Sequence, residues 1–145
     1  MNKKIVIVIS LLVVGAIVGS GYYLQKLDLG GVKDDTTYVS KKGLHWHPEI
    51  SIYIKGVKID LPANLGVKAL SMAPVHTHEP DGVIHLEFMG LVRTSDIMLG
   101  QFFKSWGKDM RSFGTNMKMT VNGKVNTELE NYYMKDKDKI VLTFD

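Results

Sequence analysis

The stretch Val75-His76-Thr77-His78-Glu79-Pro80-Asp81-Gly82-Val83-Ile84-His85-Leu86-Glu87-Phe88 decides how this chain reads. Two short runs with strand character flank Glu79-Pro80-Asp81-Gly82, a segment with strong turn chemistry. A hairpin closed at that turn sets His78 opposite Val83 and His76 opposite His85. Directly opposed residues share a face, with Cβ atoms about 4.5–5.5 Å apart, and so do residues i and i+2 along one strand. His76, His78, His85 and Glu87 are therefore expected on one side of the hairpin. Thr77, Ile84, Leu86 and Phe88 are expected on the other, facing a core.

The flanking sequence supplies a sheet for that core to fill. Ile50, Ile52 and Ile54 alternate with Ser51, Tyr53 and Lys55, the period of a half-buried strand. Lys55-Gly56 reads as a turn and residues 57–61 as the return strand. Thr94 or Ser95 can cap a helix running to about Trp106, in which Leu99, Phe102, Phe103 and Trp106 fall at i, i+3, i+4 and i+7 on one apolar face. Met117 to Val121 alternates again, Asn122-Gly123 is a strong two-residue hairpin signal, and Ile140, Leu142 and Phe144 alternate after the polar turn Lys135-Asp136-Lys137-Asp138. The Met117-Lys118-Met119 pair of thioethers reads as core packing rather than a soft-metal site. Strands before and after one helix predict an α+β domain, a mostly antiparallel sheet with one helix packed on it.

The N-terminal sequence is of another kind. Residues 5–24, from Ile5 to Leu24, carry no charge, and about 20 apolar residues span a hydrocarbon core of about 30 Å as one helix. Lys3 and Lys4 before the run favour a cytoplasmic N-terminus, and Tyr22 and Tyr23 suit the outer interface. A cleaved signal peptide is the alternative, but the apolar stretch exceeds the usual length of about 7–15 residues. The expected organisation is a transmembrane anchor over residues 1–24 and a polar spacer over 25–42. An extracytoplasmic domain over 43–145 follows, on a single-pass protein of the cell membrane. With no cysteine, the exported part is held by its core or by a metal, not by disulfides.

Composition narrows the partners. The 145 residues carry 18 basic and 15 acidic side chains, and without residues 1–24 the balance is 16 basic against 15 acidic. That is no clustered basic surplus, so nucleic acid is not expected as a partner. One domain of this size also excludes the large barrels used by many metal hydrolases, which need at least about 200 residues.

All five histidines fall between His45 and His85, a clustering that independent placement would produce about 0.2% of the time. Besides the hairpin trio there is His45-Trp46-His47. Its two imidazoles share a face opposite Ile50, Ile52 and Ile54 if the strand runs unbroken through Pro48. They either complete the hairpin site or form a second one. Three imidazoles converging from paired strands can hold one ion at nitrogen–metal distances near 2.0–2.1 Å. Neutral imidazole without thiolate suits a divalent transition metal, Cu or Zn. Glu87, Glu79, Asp81 and Glu49 are the nearby carboxylates that could ligate or orient a ring. The chain lacks the spacing of metallo-β-lactamase and cupin metal motifs and has no P-loop, nucleophile elbow or dinucleotide fingerprint.

Three segments carry a resemblance. Leu44-His45-Trp46-His47-Pro48-Glu49, then His76-Thr77-His78 with Gly82-Val83-Ile84-His85-Leu86-Glu87, then Leu99-Gly100-Gln101-Phe102-Phe103 with Trp106-Gly107 resemble an uncharacterised group of small exported or membrane-anchored proteins. The part from Met119 to Leu142 is similar to β-grasp-like domains. The resemblance implies a fold and a site but no activity. Three function classes follow. The favoured one is a metal-binding module, whether carrier, sensor or accessory subunit of a membrane complex. The second is a small metalloenzyme using metal-activated water or oxygen, with Glu87 or Glu79 as its acid–base group. The third is a metal-free interaction domain in which Trp46 anchors a partner. The pattern tilts toward binding, because no second polar cluster suggests a substrate pocket.

Overall fold

Alternating isoleucines make β3 (Glu49–Ile54) a strand with one buried face: Ile50 and Ile52 are fully buried while Glu49 and Ser51 are not. Its partner β12 (Lys139–Phe144) buries Ile140, Leu142 and Phe144 in the same rhythm. The two run parallel in unbroken register, from Lys139 beside Glu49 to Phe144 beside Ile54. Parallel neighbours need a long crossover, and here nearly the whole domain forms it. The computed structural model describes residues 37–145.

Two hairpins flank the parallel pair. β4 (Val57–Ile59) returns along β3, and β10 (Lys118–Val121) with β11 (Lys124–Val125) lies beside β12, giving the order β11-β10-β12-β3-β4. Both hairpins close with two residues at positive φ: Lys55 and Gly56 at 51° and 80°, Asn122 and Gly123 at 51° and 79°. These are the mirror-image turns whose twist matches that of the strands. The return strand β4 stops at Ile59, two residues short of the expected Leu61.

The helix α1 (Leu99–Trp106) buries Leu99, Phe102 and Phe103 and packs Trp106 against the same core. It starts later than the sequence suggests. Thr94–Ile97 forms a separate 3-10 turn, and Met98 is extended at φ −66° and ψ 144°. The cause lies outside the segment. Leu99 N–H donates to the Tyr132 carbonyl at 2.9 Å, and Met134 N–H donates to the Ile97 carbonyl at 3.0 Å. Those bonds to residues 132–134 replace the helical ones that would have bridged Met98. Gly107, at φ 70°, ends the helix.

A second sheet, in the order β2-β8-β7, carries the histidines: β2 (Leu44–Trp46), β8 (His85–Phe88) and β7 (Val75–His76). The remaining strands are short pairs. β1 (Tyr38–Ser40) pairs with β9 (Val92–Arg93), and β5 (Val67–Lys68) with β6 (Ser71–Met72). The described residues thus form an α+β domain with mostly antiparallel sheets and one α-helix. β1 lies inside the stretch read from sequence as spacer. The expected membrane segment from Ile5 to Leu24, and residues 25–36 of the spacer, lie outside the described residues. Among the described residues no helix is long and apolar enough to cross a membrane.

Two further local expectations need correction. The strand does not run unbroken through Pro48: β2 ends at Trp46 and β3 begins at Glu49, in a different sheet. Pro48 has no N–H to continue a ladder, and the chain is gripped on both sides as it crosses. His47 N–H donates to Asp136 Oδ1 at 2.9 Å. Glu49 N–H donates to the Asp138 carbonyl at 2.7 Å, and Ile84 N–H donates to the Pro48 carbonyl at 2.8 Å.

The histidine hairpin is also shorter than expected. His76 does sit opposite His85, and Val75 opposite Leu86. His78 does not sit opposite Val83, which bridges to Glu49 instead. Thr77 diverts the chain. Its N–H donates to the Leu65 carbonyl at 3.0 Å, its hydroxyl oxygen accepts from Leu65 N–H at 3.1 Å, and the hydroxyl donates to the Pro62 carbonyl at 3.3 Å.

Gly82 locks the connection after the histidines against β3. Its carbonyl accepts from Ile50 N–H at 2.8 Å. With φ at +93°, a Cβ there would collide with the Ile50 carbonyl oxygen. Gly123 has open space around it at φ +79°. Gly123→Ala should therefore cost only the left-handed strain of about 1–2 kcal/mol. Gly82→Ala should cost clearly more, because backbone must move. Urea unfolding of the two variants checks the order, and equal losses would contradict it.

Candidate metal centre

His76 is the best-fixed of the imidazoles. It is fully buried in β7, and its Nδ1 lies 2.9 Å from the Ala73 carbonyl. A carbonyl only accepts, so Nδ1 carries the proton and the neutral ring leaves Nε2 as a bare lone pair. An imidazole oriented through its other nitrogen by a backbone carbonyl is the usual support of a metal-binding histidine. Nε2 faces the Nε2 of His78 at 3.2 Å. Two nitrogens held tetrahedrally at about 2.05 Å from one ion stand about 3.3 Å apart. In the absence of a cation, His78 supplies the proton between the two nitrogens.

His85 completes the trio from the middle strand. Its ring stacks on that of His76 at 5.2 Å between centroids, with 20° between planes, and meets His78 edge-on at 4.6 Å. Its Nδ1 is buried and makes no hydrogen bond, although Glu87 Oε1 stands 3.5 Å away. A buried ring nitrogen in that condition calls for a ligand or a proton partner. His45 and His47 approach from the opposite side. His45 pairs with Glu87 across β2 and β8, and its Nε2 lies 3.0 Å from Glu87 Oε1. The His47 ring is 4.6 Å from that of His45 and 4.7 Å from that of His85. The donor atoms form two groups, each mutually within 4.8 Å: His76, His78, His85 and Glu87, and His45, His47, His85 and Glu87.

The other expected carboxylates belong to neither group. Asp81 Oδ1 accepts from Val83 N–H at 2.9 Å and so shapes the turn. Glu49 and Glu79 are exposed. Trp46 packs against the core. Met119 is buried and Met117 packs beside it. Two supporting groups have no short-range signature in the sequence. One is the Ala73 carbonyl that sets the His76 tautomer. The other is Asp136, 89 residues from the His47 N–H it holds.

Burial pushes the His76 ring below its ordinary pKa, with His78 and His45 adding to the shift and the Ala73 carbonyl and Glu87 opposing it. Burial also lowers His85, helped by His47, His78 and His76 and opposed by Glu87. Both rings are thus held in the ligating form to lower pH than an exposed histidine.

The same shifts tie stability to pH. Between the lowered native value and the ordinary 6.5, the unfolded chain binds more protons than the native one, so stability rises with pH across that window. The metal-free protein should lose stability as pH falls below about 6.5 and level off once both rings are protonated in the native state. Denaturant melts in chelator at stepped pH measure this. The double variant His76→Gln with His85→Gln should flatten the dependence, and an unchanged slope would place its origin elsewhere.

Comparison of the chain with protein-family models, with curated proteins and with solved structures finds no match. The functional reading therefore rests on the chemistry of these side chains.

Proposed function

We propose that this chain is a membrane-anchored extracytoplasmic metal-binding module. It holds Cu or Zn as a divalent ion and serves as carrier, sensor or accessory subunit of a larger membrane complex. The observation that carries the reading is the His76–His78 nitrogen separation of 3.2 Å, with the His76 lone pair directed at it and His85 beside both rings. Three imidazoles leave at least one position open on a four-coordinate ion. His78 is exposed, so the ion would face solvent on that side.

Further support comes from the surroundings. A cleft of about 330 Å³ beside the ligands is lined by Met72, Pro74, His76, Glu87, Met89 and Leu91. Met72, Met89 and Leu91 are exposed apolar side chains, which suits a site that docks to a protein partner. The strand order, with first and last strands of the main sheet parallel at its centre, supports the β-grasp-like likeness. Residues 5–24 supply the anchor and Lys3 and Lys4 its orientation.

A small metalloenzyme is the second reading, favoured by one observation. Glu87 Oε1 lies 3.0 Å from His45 and 3.5 Å from His85, so a carboxylate stands within proton-transfer range of an ion's open position.

Isothermal titration of the full-length protein in detergent with Zn²⁺ and Cu²⁺ at pH 7.5 tests the reading. His76→Ala, His78→Ala and His85→Ala should each weaken the tighter binding event by at least about tenfold. His45→Ala and His47→Ala should affect it far less. An absence of Zn²⁺ and Cu²⁺ affinity removes both metal readings and leaves the interaction domain. Loss of the tight event on changing His45 or His47, with the hairpin variants intact, moves the site. Protons compete for the same nitrogens, so binding should fade as pH falls through about 6.5, and the burial that lowers His76 and His85 opposes that loss at those two rings.

Topology is tested separately. Protease added to spheroplasts should digest the domain, and full protection would exclude an extracytoplasmic location.

A further inference from the structure

We propose a second cation site beside the first, built by His45, His47 and Glu87, so that the histidine cluster is a two-ion centre. The inference rests on the first site holding a metal as argued above. It begins from a count of donors. Five imidazoles and one carboxylate occupy the two overlapping groups, and a tetrahedral ion accepts at most about four ligands. A single ion would leave at least two of the six donors idle.

The sheet explains how the donors divide. The middle strand β8 presents His85 and Glu87 at i and i+2, on one face. On one flank, β7 sets His76 opposite His85, and His78 follows two residues on. On the other flank, β2 sets His45 opposite Glu87, and His47 follows two residues on. Each flank thus contributes a His-x-His pair to the same central strand. Three donors then fall to each ion: His76, His78 and His85 to one, and His45, His47 and Glu87 to the other.

Two features of the ring geometry agree with that division. His85 touches rings from both flanks, His78 at 4.6 Å and His47 at 4.7 Å, so it stands at the boundary. The Glu87 oxygen that lies 3.0 Å from His45 also lies 3.5 Å from the unbonded Nδ1 of His85. A carboxylate in that position can screen two cations from each other. Paired ions in known two-metal sites stand about 3.5–4 Å apart. One carboxylate against two dications leaves the pair under-neutralised, so the second ion binds more weakly than the first.

The second site also has its own scaffold. His47 would sit on an unpaired stretch beside Pro48 were its N–H not held by Asp136 at 2.9 Å. That bond fixes the backbone of the one donor of this second site that lies outside a strand.

Cu²⁺ is the probe. The full-length protein in detergent at pH 7.5 is loaded with excess Cu²⁺, desalted and analysed for metal. Two coppers per chain and a two-phase titration are expected. Paramagnetic resonance should show full signal at one equivalent and a reduced, spin-coupled signal at two. The paired substitution His45→Gln and His47→Gln should remove the second copper and keep the first, tight one. Glu87→Gln, a milder change, should weaken the second phase by at least about tenfold and restore isolated-copper signals. One copper in the wild type overturns the two-ion proposal and leaves the first site standing. Two coppers that persist in the paired variant, or two isolated signals in the wild type, place the second ion elsewhere and also overturn it. No copper at all defeats the single-site reading as well.

Discussion

The parallel ladder between β3 and β12 is the constraint from which the rest follows. Parallel strands begin at the same end, so pairing Glu49 with Lys139 brings the residues just before each strand side by side. Residues 47–49 therefore meet residues 136–138 across a sequence gap of about ninety residues. Asp136 reaches His47 there, and the Asp138 carbonyl reaches Glu49. An antiparallel pairing of the same strands would send those two turns to opposite ends of the sheet. Ile50, Ile52, Ile140, Leu142 and Phe144 hold the ladder by burial, at about 1.5–3 kcal/mol per side chain.

The turn before β12 is itself organised by a buried carboxylate. Asp138, nearly fully buried, accepts from Tyr132 Oη at 2.6 Å, from Lys135 N–H at 2.8 Å and from Asn122 Nδ2 at 2.8 Å. Burial, together with this carboxylate, pushes the Tyr132 hydroxyl far above its usual pKa, so it stays a donor at any physiological pH. Hydrogen bonds to an ionised acceptor are among the stronger ones. Removing the carboxylate would leave the buried Tyr132 hydroxyl without its acceptor. The polar turn thus links the tip of the β10–β11 hairpin, the segment before β12 and, through its backbone, the start of β3.

What could be read from sequence was local, and what could not was set by distant partners. The Lys55-Gly56 and Asn122-Gly123 turns, the apolar stripe of α1 and the opposition of His76 with His85 all follow from residue type and period. The break at Met98 comes from hydrogen bonds to residues 132–134, which no helical pattern announces. The strand pattern points Thr77 at the core, and it is fully buried. Its hydroxyl and amide, however, are taken by residues 62–65, and that bends His78 out of the ladder. The bend helps the site: pairing with Val83 would have kept His78 in the strand, whereas the observed turn brings its Nε2 onto that of His76. Pro48 was visible as a risk to strand continuity, but the two aspartates that compensate for it were not.

The histidine cluster is held in place by the fold itself, in contrast to small metal domains that fold only around their ion. Every element that places a histidine is fastened by something other than metal: ladder pairs for His45, His76 and His85, an aspartate for the His47 backbone, a threonine for the approach to His78. The cost falls on the rings. Neighbouring imidazoles within about 5 Å cannot all be protonated together without strong repulsion, and burial already disfavours charge on His76 and His85. Above the lowered values of His76 and His85 those two rings are neutral, and the buried Nδ1 of His85 is left without a hydrogen bond. A fold that fastens such a cluster by ladder pairs and side-chain hydrogen bonds has the donor geometry of the proposed metal site set in advance. In the proposed site, affinity would depend on how few bonds must rearrange, and exchange on the exposed donors His45 and His78, which would be the first to let go.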